Sequence, residues 1–207
     1  MKVLLINGSP HAHGCTYTAL CEVDKALRAQ GVETELVGIG AGAIAGCNAC
    51  GFCKTHGKCV IEGDAVNALA EKFPAIDGLV VGAPVYFGSP NGSLISLLDR
   101  AFYVGRAGLR HKPAAAVVSA RRAGTTASFE VLCKYFTINE MPLVSGNYWN
   151  MVHGNTPEEV LQDLEGLQTM RSVGRNMAWL LHCIEAGKQA GVQPPVVEPK
   201  IQTNFVR

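Results

Sequence analysis

Nowhere does this chain hold an apolar run approaching the roughly 20 residues that a helix needs to cross a bilayer. The opening Met1-Lys2-Val3-Leu4-Leu5-Ile6-Asn7-Gly8 reads as a short strand entering a turn. It lacks the longer apolar core and small-residue cleavage site of a signal peptide, so the expectation is a cytoplasmic protein. Charge of one sign is lacking too, with 18 Lys and Arg against 17 Asp and Glu and a formal net charge of +1. Without a basic stripe, neither nucleic acid nor a membrane surface is an expected partner. G-x-G-x-x-G and G-x-x-x-x-G-K-[ST] are both absent, which removes a Rossmann dinucleotide fingerprint and a P-loop. There is no internal repeat and no linker.

What is abundant is cysteine. Eight cysteines in a chain of 207 residues, placed in a reducing compartment, point to ligands or free thiols rather than a disulfide framework. Cys15, Cys21, Cys133 and Cys183 are scattered and read as small packing residues. The other four form the compact pattern Cys47-x2-Cys50-x2-Cys53-x5-Cys59. Three thiols at a two-residue spacing, with a fourth a short loop away, can converge on one soft metal centre. An iron–sulfur cluster, a tetrahedral zinc ion and an empty loop of free thiols are all open readings. The three-plus-one spacing favours iron, because structural zinc sites usually pair two C-x-x-C units across a longer gap.

Hydrophobic residues at 48% and charged ones at 17% describe one globular domain with a substantial core. The expected division is a single domain over residues 1–190, a Cys-rich insertion at 46–60, and an extended tail over 191–207. Apolar runs predict strands over 2–7, 34–37, 78–82, 113–119 and 141–145. Helical spacing predicts helices over 16–30, 66–73, 91–103 and 126–137, then one long helix over 157–187. Strands alternating with helices imply right-handed crossovers and a parallel sheet. Five such strands match the flavodoxin-like doubly wound order 2-1-3-4-5, in an α/β fold with helices on both faces. There, ligands lie beyond the strands' carboxyl ends, at the switch point between the first and third strands.

Three distinctive loops follow predicted strands one, three and four. The first, residues 8–18, offers hydroxyls and free N–H groups at a helix N-terminus, where the dipole favours a phosphate; its bland reading is a capped βα turn. The second, Pro84-Val85-Tyr86-Phe87-Gly88, sets aromatics beside a close backbone approach, as a flat ring requires; alternatively these are core aromatics. The third, residues 119–126, brings Arg121 and Arg122 with a flexible Gly124, suited to an anion or a flavin edge, or else is a solvated loop.

Gly8-Ser9-Pro10 with Gly14-Cys15-Thr16 resembles the G-S-P-R-x-x-G-N-T turn of the NADPH-dependent FMN reductase and iron–sulfur flavoprotein families. Ala83-Pro84-Val85-Tyr86-Phe87, with Leu98-Asp99-Arg100 downstream, resembles their S-P-V-Y-F loop and D-R pair. The resemblance spans about residues 1–146. It implies that Ser9, His11, Cys15 and Thr16 surround an FMN phosphate. Pro84, Val85, Tyr86, Phe87 and Gly88 would lie along the isoalloxazine, with Ser119, Arg121 and Gly124 at its other rim. His11 stands where the family usually has Arg, Cys15 where it often has Asn, and the third loop lacks the common double glycine. The resemblance further implies that Cys47, Cys50, Cys53 and Cys59 hold a [4Fe–4S] cluster near FMN and a subunit interface.

The expected function is therefore an FMN-dependent oxidoreductase, with NAD(P)H as possible reductant and a small molecule or a protein as electron donor or acceptor. No general acid or base is nominated, since flavin electron or hydride transfer does not demand one. A flavodoxin-type electron carrier without its own substrate, and a thiol-rich metal-binding module without flavin, are the competing readings. His56 and His111 read as surface residues, and residues 147–154 as a packed surface loop, the alternative being that its aromatics reach over a neighbouring subunit's flavin. The apolar stripe of the last helix and the proline-bearing tail suggest a homodimer or homotetramer.

Overall fold

The computed structural model describes residues 1–203. In chain order its elements are β1 (Lys2–Asn7), α1 (Cys15–Arg28), β2 (Glu33–Gly38), α2 (Phe52–His56), α3 (Val66–Ala70), β3 (Gly78–Tyr86), β4 (Ser89–Pro90), α4 (Gly92–Gly105), β5 (Ala114–Ala120), α5 (Thr125–Thr137), β6 (Met151–His153), α6 (Pro157–Val160) and α7 (Leu164–Gln189). Successive side chains of a strand point to opposite faces, and β1 is apolar on both. Leu4 and Ile6 therefore join a cluster with Leu69, Phe73 and Leu97, on the side of α3, α4 and α5. Val3 and Leu5 join the opposite cluster with Leu20, Val23 and Met177, on the side of α1 and α7.

The sheet runs β2-β1-β3-β5-β6, and every one of these pairings is parallel. With the two-residue β4 set aside as an antiparallel hairpin partner of β3, this is the expected 2-1-3-4-5 order. The fold is flavodoxin-like, with β1 and β3 flanking the switch point.

The fifth strand is not where apolar patterning predicts it. Residues 141–145 make only an isolated bridge, Ala114 to Leu143, and the strand is β6, drawn from the segment expected to be a loop. Pro142 has no N–H to donate, and the Met141 N–H is taken by the Phe136 carbonyl at 3.1 Å, which ties the segment to the end of α5. Asn150 then makes the crossing. Buried to 1% exposure, its Nδ2 donates to the carbonyls of Ala116 (3.0 Å) and Val144 (3.4 Å), while its Oδ1 accepts from Gly146 N–H.

The long final helix is likewise interrupted. Thr156 Oγ1 accepts from Glu159 N–H (3.3 Å), and Glu159 Oε2 accepts from Asn155 N–H (2.6 Å), a reciprocal cap that starts α6. Asp163 begins again: Oδ1 accepts from Gly166 N–H at 2.9 Å and Oδ2 from His153 N–H at 2.7 Å. One carboxylate thus caps α7 and anchors the end of β6. Asp64 accepts from Val66 N–H as a helix start should (3.1 Å), yet α3 closes by Ala70 and a short 3-10 turn, Phe73–Ala75, completes the segment. Beyond α7 the described tail carries neither helix nor strand; residues 204–207 of the expected tail lie outside the described residues. Among the described residues no helix is long and apolar enough to cross a membrane.

α7 packs tightly on α1 at Gly174, where an added Cβ would stand 2.6 Å from Ala26 Cβ and 2.8 Å from the Val23 carbonyl oxygen. Gly174→Val is expected to destabilise the fold by about 1–3 kcal/mol through overpacking, read as a lower midpoint in urea unfolding; an unchanged midpoint would refute this packing.

Candidate cofactor site

The first loop is folded around Asn7, the last residue of β1 and fully buried. Its Oδ1 accepts from Ser9 N–H (3.1 Å), and its Nδ2 donates to the carbonyls of His11 (3.3 Å) and Ala12 (3.4 Å). Ser9 Oγ accepts from His11 N–H at 3.1 Å. The polypeptide then enters α1 at Gly14, an N-cap without a side-chain cap. First-turn N–H groups of a helix have no internal acceptor and carry the positive end of its dipole. The loop therefore presents unsatisfied donors at the carboxyl edge of the sheet.

The second and third loops meet the first there. Gly8 N–H donates to the Gly82 carbonyl at 2.8 Å. Thr16 and Ser119, both buried, join hydroxyls at 2.7 Å and so tie α1 to the end of β5. Asn91 donates from Nδ2 to the Gly8 carbonyl (2.8 Å) and from its backbone to the Pro84 carbonyl (3.2 Å), while its buried Oδ1 has no partner among the described residues. Gly124, at φ +90°, comes so close to the second loop that an added Cβ would lie 2.7 Å from Gly88 Cα and 2.8 Å from Val85 Cγ1.

Phe87 and Gly88 form the two-residue turn between β3 and β4, with φ of 52° and 77°. Such hairpin turns ask for left-handed backbone at both positions, which glycine takes freely and phenylalanine rarely does. The strained Phe87 is fully exposed and Tyr86 is 46% exposed. Both aromatics are exposed at this turn, beside the meeting point of the loops, and neither is a core residue. Arg121 and Arg122 are also exposed and make no hydrogen bond or ion pair among the described residues. Cys15 turns the other way: its thiol donates to the Gly154 carbonyl at 3.6 Å, and burial raises its pKa above the ordinary thiol value.

Cys47, Cys50, Cys53 and Cys59 line one cavity together with Ile61, Arg100 and Val104. Left-handed backbone at Ala49, Gly51 and Gly57 turns the segment around the short α2. Asn67 pins Cys59 by accepting its N–H (2.8 Å) and donating to its carbonyl (3.0 Å). Cys47 and Cys50 are exposed and Cys53 and Cys59 half-buried. Among the described residues no three Cys, His, Asp or Glu side chains converge to ligating geometry, so the thiols share a cavity without forming a closed shell. Four soft sulfur donors around one space still fit an iron–sulfur centre or zinc. His56 stacks on Phe52, with ring centroids 3.8 Å apart.

Asn7, Asn91 and Arg100 carry these sites, and sequence reading gave none of them a role. Their signals were an asparagine closing an apolar strand, another opening a helix, and the arginine of the Asp99-Arg100 pair inside an apolar helical face, which the motif marked without assigning it a contact.

Residues 1–156 match the profile of the NADPH-dependent FMN reductase family. An iron–sulfur flavoprotein of Methanocaldococcus jannaschii is 33% identical over 194 residues, covering 89% of this chain and 100% of the relative. An iron–sulfur flavoprotein of Methanosarcina thermophila is 30% identical over 193 residues, covering 91% of this chain and 99% of the relative. In three dimensions, the NAD(P)H:quinone oxidoreductase of Methanothermobacter marburgensis superposes with a TM-score of 0.65 at 15% identity, over 86% of this chain and 96% of that one; this likeness concerns the fold.

Gly124→Ala combines a left-handed strain of about 1–3 kcal/mol with a collision at Gly88. It is expected to weaken uptake of riboflavin 5′-phosphate roughly tenfold or more in a fluorescence titration, with the circular dichroism spectrum retained; wild-type affinity would contradict the close approach. In metal-free protein at pH 8, iodoacetamide is expected to label the exposed Cys47, Cys50 and Cys183 first. Cys15 and Cys133, the latter pushed up by burial to about 11, stay as protonated thiols and label last; early labelling of Cys133, read by peptide mass mapping, would contradict its burial.

Proposed function

The chain belongs to the NADPH-dependent FMN reductase family, and on that premise we propose that it is an FMN-dependent oxidoreductase of the iron–sulfur flavoprotein kind, passing electrons singly between a [4Fe–4S] cluster and FMN. One observation carries the reading: the three loops that follow β1, β3 and β5 meet at the β1/β3 switch point, held by the Thr16–Ser119, Asn91–Gly8 and Gly88–Gly124 contacts.

When bound, FMN supplies the electron or hydride chemistry. The protein's own residues bind and orient it. The Asn7-organised turn and the uncapped start of α1 hold the phosphate through backbone N–H groups and the helix dipole. His11, exposed at this turn, adds a further ring N–H donor. Gly88 and Gly124, lacking side chains, let backbone amides reach the ring edge. Tyr86 and Phe87 supply stacking surface, and Arg121, free of internal partners among the described residues, supplies a cation at the outer rim. Cys15, facing Gly154, supports the turn from behind. Cys47, Cys50, Cys53 and Cys59 would hold the cluster through their sulfurs.

Phe87, on the turn after β3, and Tyr148 and Trp149, just before β6, are exposed, and they support assembly into a homodimer or homotetramer that covers the flavin. NAD(P)H, a small acceptor or a protein partner in the cytoplasm completes the electron path. Pure carrier activity is less well supported, since docking carriers are often strongly acidic and this chain is at +1.

Anaerobic purification is expected to give a yellow-brown protein with about one FMN and about four irons per chain. NAD(P)H consumption that rises with added FMN or quinone would identify the reductase activity. Colourless protein that takes up no flavin would overturn the proposal. Flavin without iron would remove the cluster half alone.

A further inference from the structure

Arg100 is the largest fully buried side chain among the described residues, 1% exposed although permanently charged. A guanidinium must find acceptors for its fan of N–H donors when it leaves water. Here Nη1 pairs with the Asp64 carboxylate and donates to the Ala45 carbonyl at 3.1 Å, and Nη2 donates to the Ile61 carbonyl at 2.7 Å. Nε donates to Cys59 Sγ at 3.2 Å. All four acceptors belong to residues 45–64, the excursion that carries the cysteines, while Arg100 itself belongs to the core helix α4.

The first three contacts account for burying the charge. Asp64, itself 7% exposed at its side chain, neutralises it, and two carbonyls take further donors. The fourth contact has a different character. A thiol sulfur is a weak acceptor, so Nε–H is spent poorly on a protonated Cys59. A metal-bound thiolate carries more charge and accepts better, and hydrogen bonds to cluster sulfurs set reduction potentials. Because Asp64 balances the guanidinium, Cys59 receives a directed donor more than a net field. α4 also begins beside the flavin loops, at Asn91, and Arg100 lies roughly 12 Å along its axis from Gly92. One rigid helix thus registers the cysteine cavity against the cofactor loops.

Building on the proposed cluster, we propose that Arg100 is a positioning residue of the metal centre: it fixes Cys59 at the cavity and supplies the hydrogen bond to its sulfur that raises the cluster's reduction potential. The reduced cluster carries one more negative charge, so the donor favours it over the oxidised state.

The test uses wild type, Arg100→Lys, and the double variant Arg100→Gln with Asp64→Asn, which removes the buried charge from both partners together. Each is reconstituted anaerobically with FMN, iron and sulfide. FMN and iron per chain are measured, and the cluster is titrated with dithionite under electron paramagnetic resonance. Both variants are expected to hold FMN as the wild type does. At a fixed potential the reduced-to-oxidised ratio of the cluster should fall about tenfold, equivalent to a 59 mV lower midpoint for one electron. A variant that keeps FMN but loses iron also supports the positioning role. Wild-type iron content with an unchanged ratio in both variants overturns it. If the double variant takes up no FMN, Arg100→Lys decides by the same ratio. Wild-type protein that binds FMN but never iron overturns this inference together with the cluster reading, and leaves the flavin site standing.

Discussion

Gly8 gives its N–H to the Gly82 carbonyl across 2.8 Å, and a Cβ on Gly8 would stand 2.6 Å from that same oxygen. The first turn can lie against β3 only because no side chain intervenes. The same condition governs the other side of the pocket, where Gly124 comes up to Gly88. Backbone meeting backbone at two places leaves the polar main-chain groups of three loops around one space, which an anionic, flat ligand can use. A methyl group at either position would collide with the facing backbone and force the loops apart.

Around these contacts, buried polar side chains substitute for the hydrogen bonds that irregular backbone would otherwise leave unmade. Asn7 serves the first turn, Asn91 joins it to the second, and Asn150 joins the abandoned segment at 141–145 to β6. The cysteine excursion follows the same logic with a charged centre, because Arg100 and Asp64 replace an apolar core for a segment too rich in glycine and cysteine to build one. The two candidate sites therefore share a construction: irregular chain held by buried polar side chains, Asn7 and Asn91 at one and Arg100 with Asp64 at the other.

Much of this was legible in the sequence, for identifiable reasons. β1 and β3 are apolar on both faces, so their depth in a parallel sheet follows from composition alone, and the loops after them stand out by glycine, serine and aromatics. The site loops converge as the switch-point rule requires. What escaped was non-local. Pro142 and the pull of Phe136 on Met141 demote a convincing apolar run, while Met151–His153 becomes a strand through pairing with β5 rather than through its own pattern. Asp163 interrupts the final helix by serving His153 as well as Gly166. Arg100 acquires its meaning from acceptors 36 to 55 positions away, a separation no local pattern records.

On the proposed reading, main-chain donors of the first turn and α1 select a mononucleotide phosphate while the glycine contacts admit the ring. Isothermal calorimetry of the apoprotein with FMN and, separately, with riboflavin addresses it directly. The expected result is saturation by FMN at about one per chain and binding of riboflavin at least roughly tenfold weaker, or about 1.4 kcal/mol. Equal affinity for the two, or no saturable heat with FMN, would contradict it.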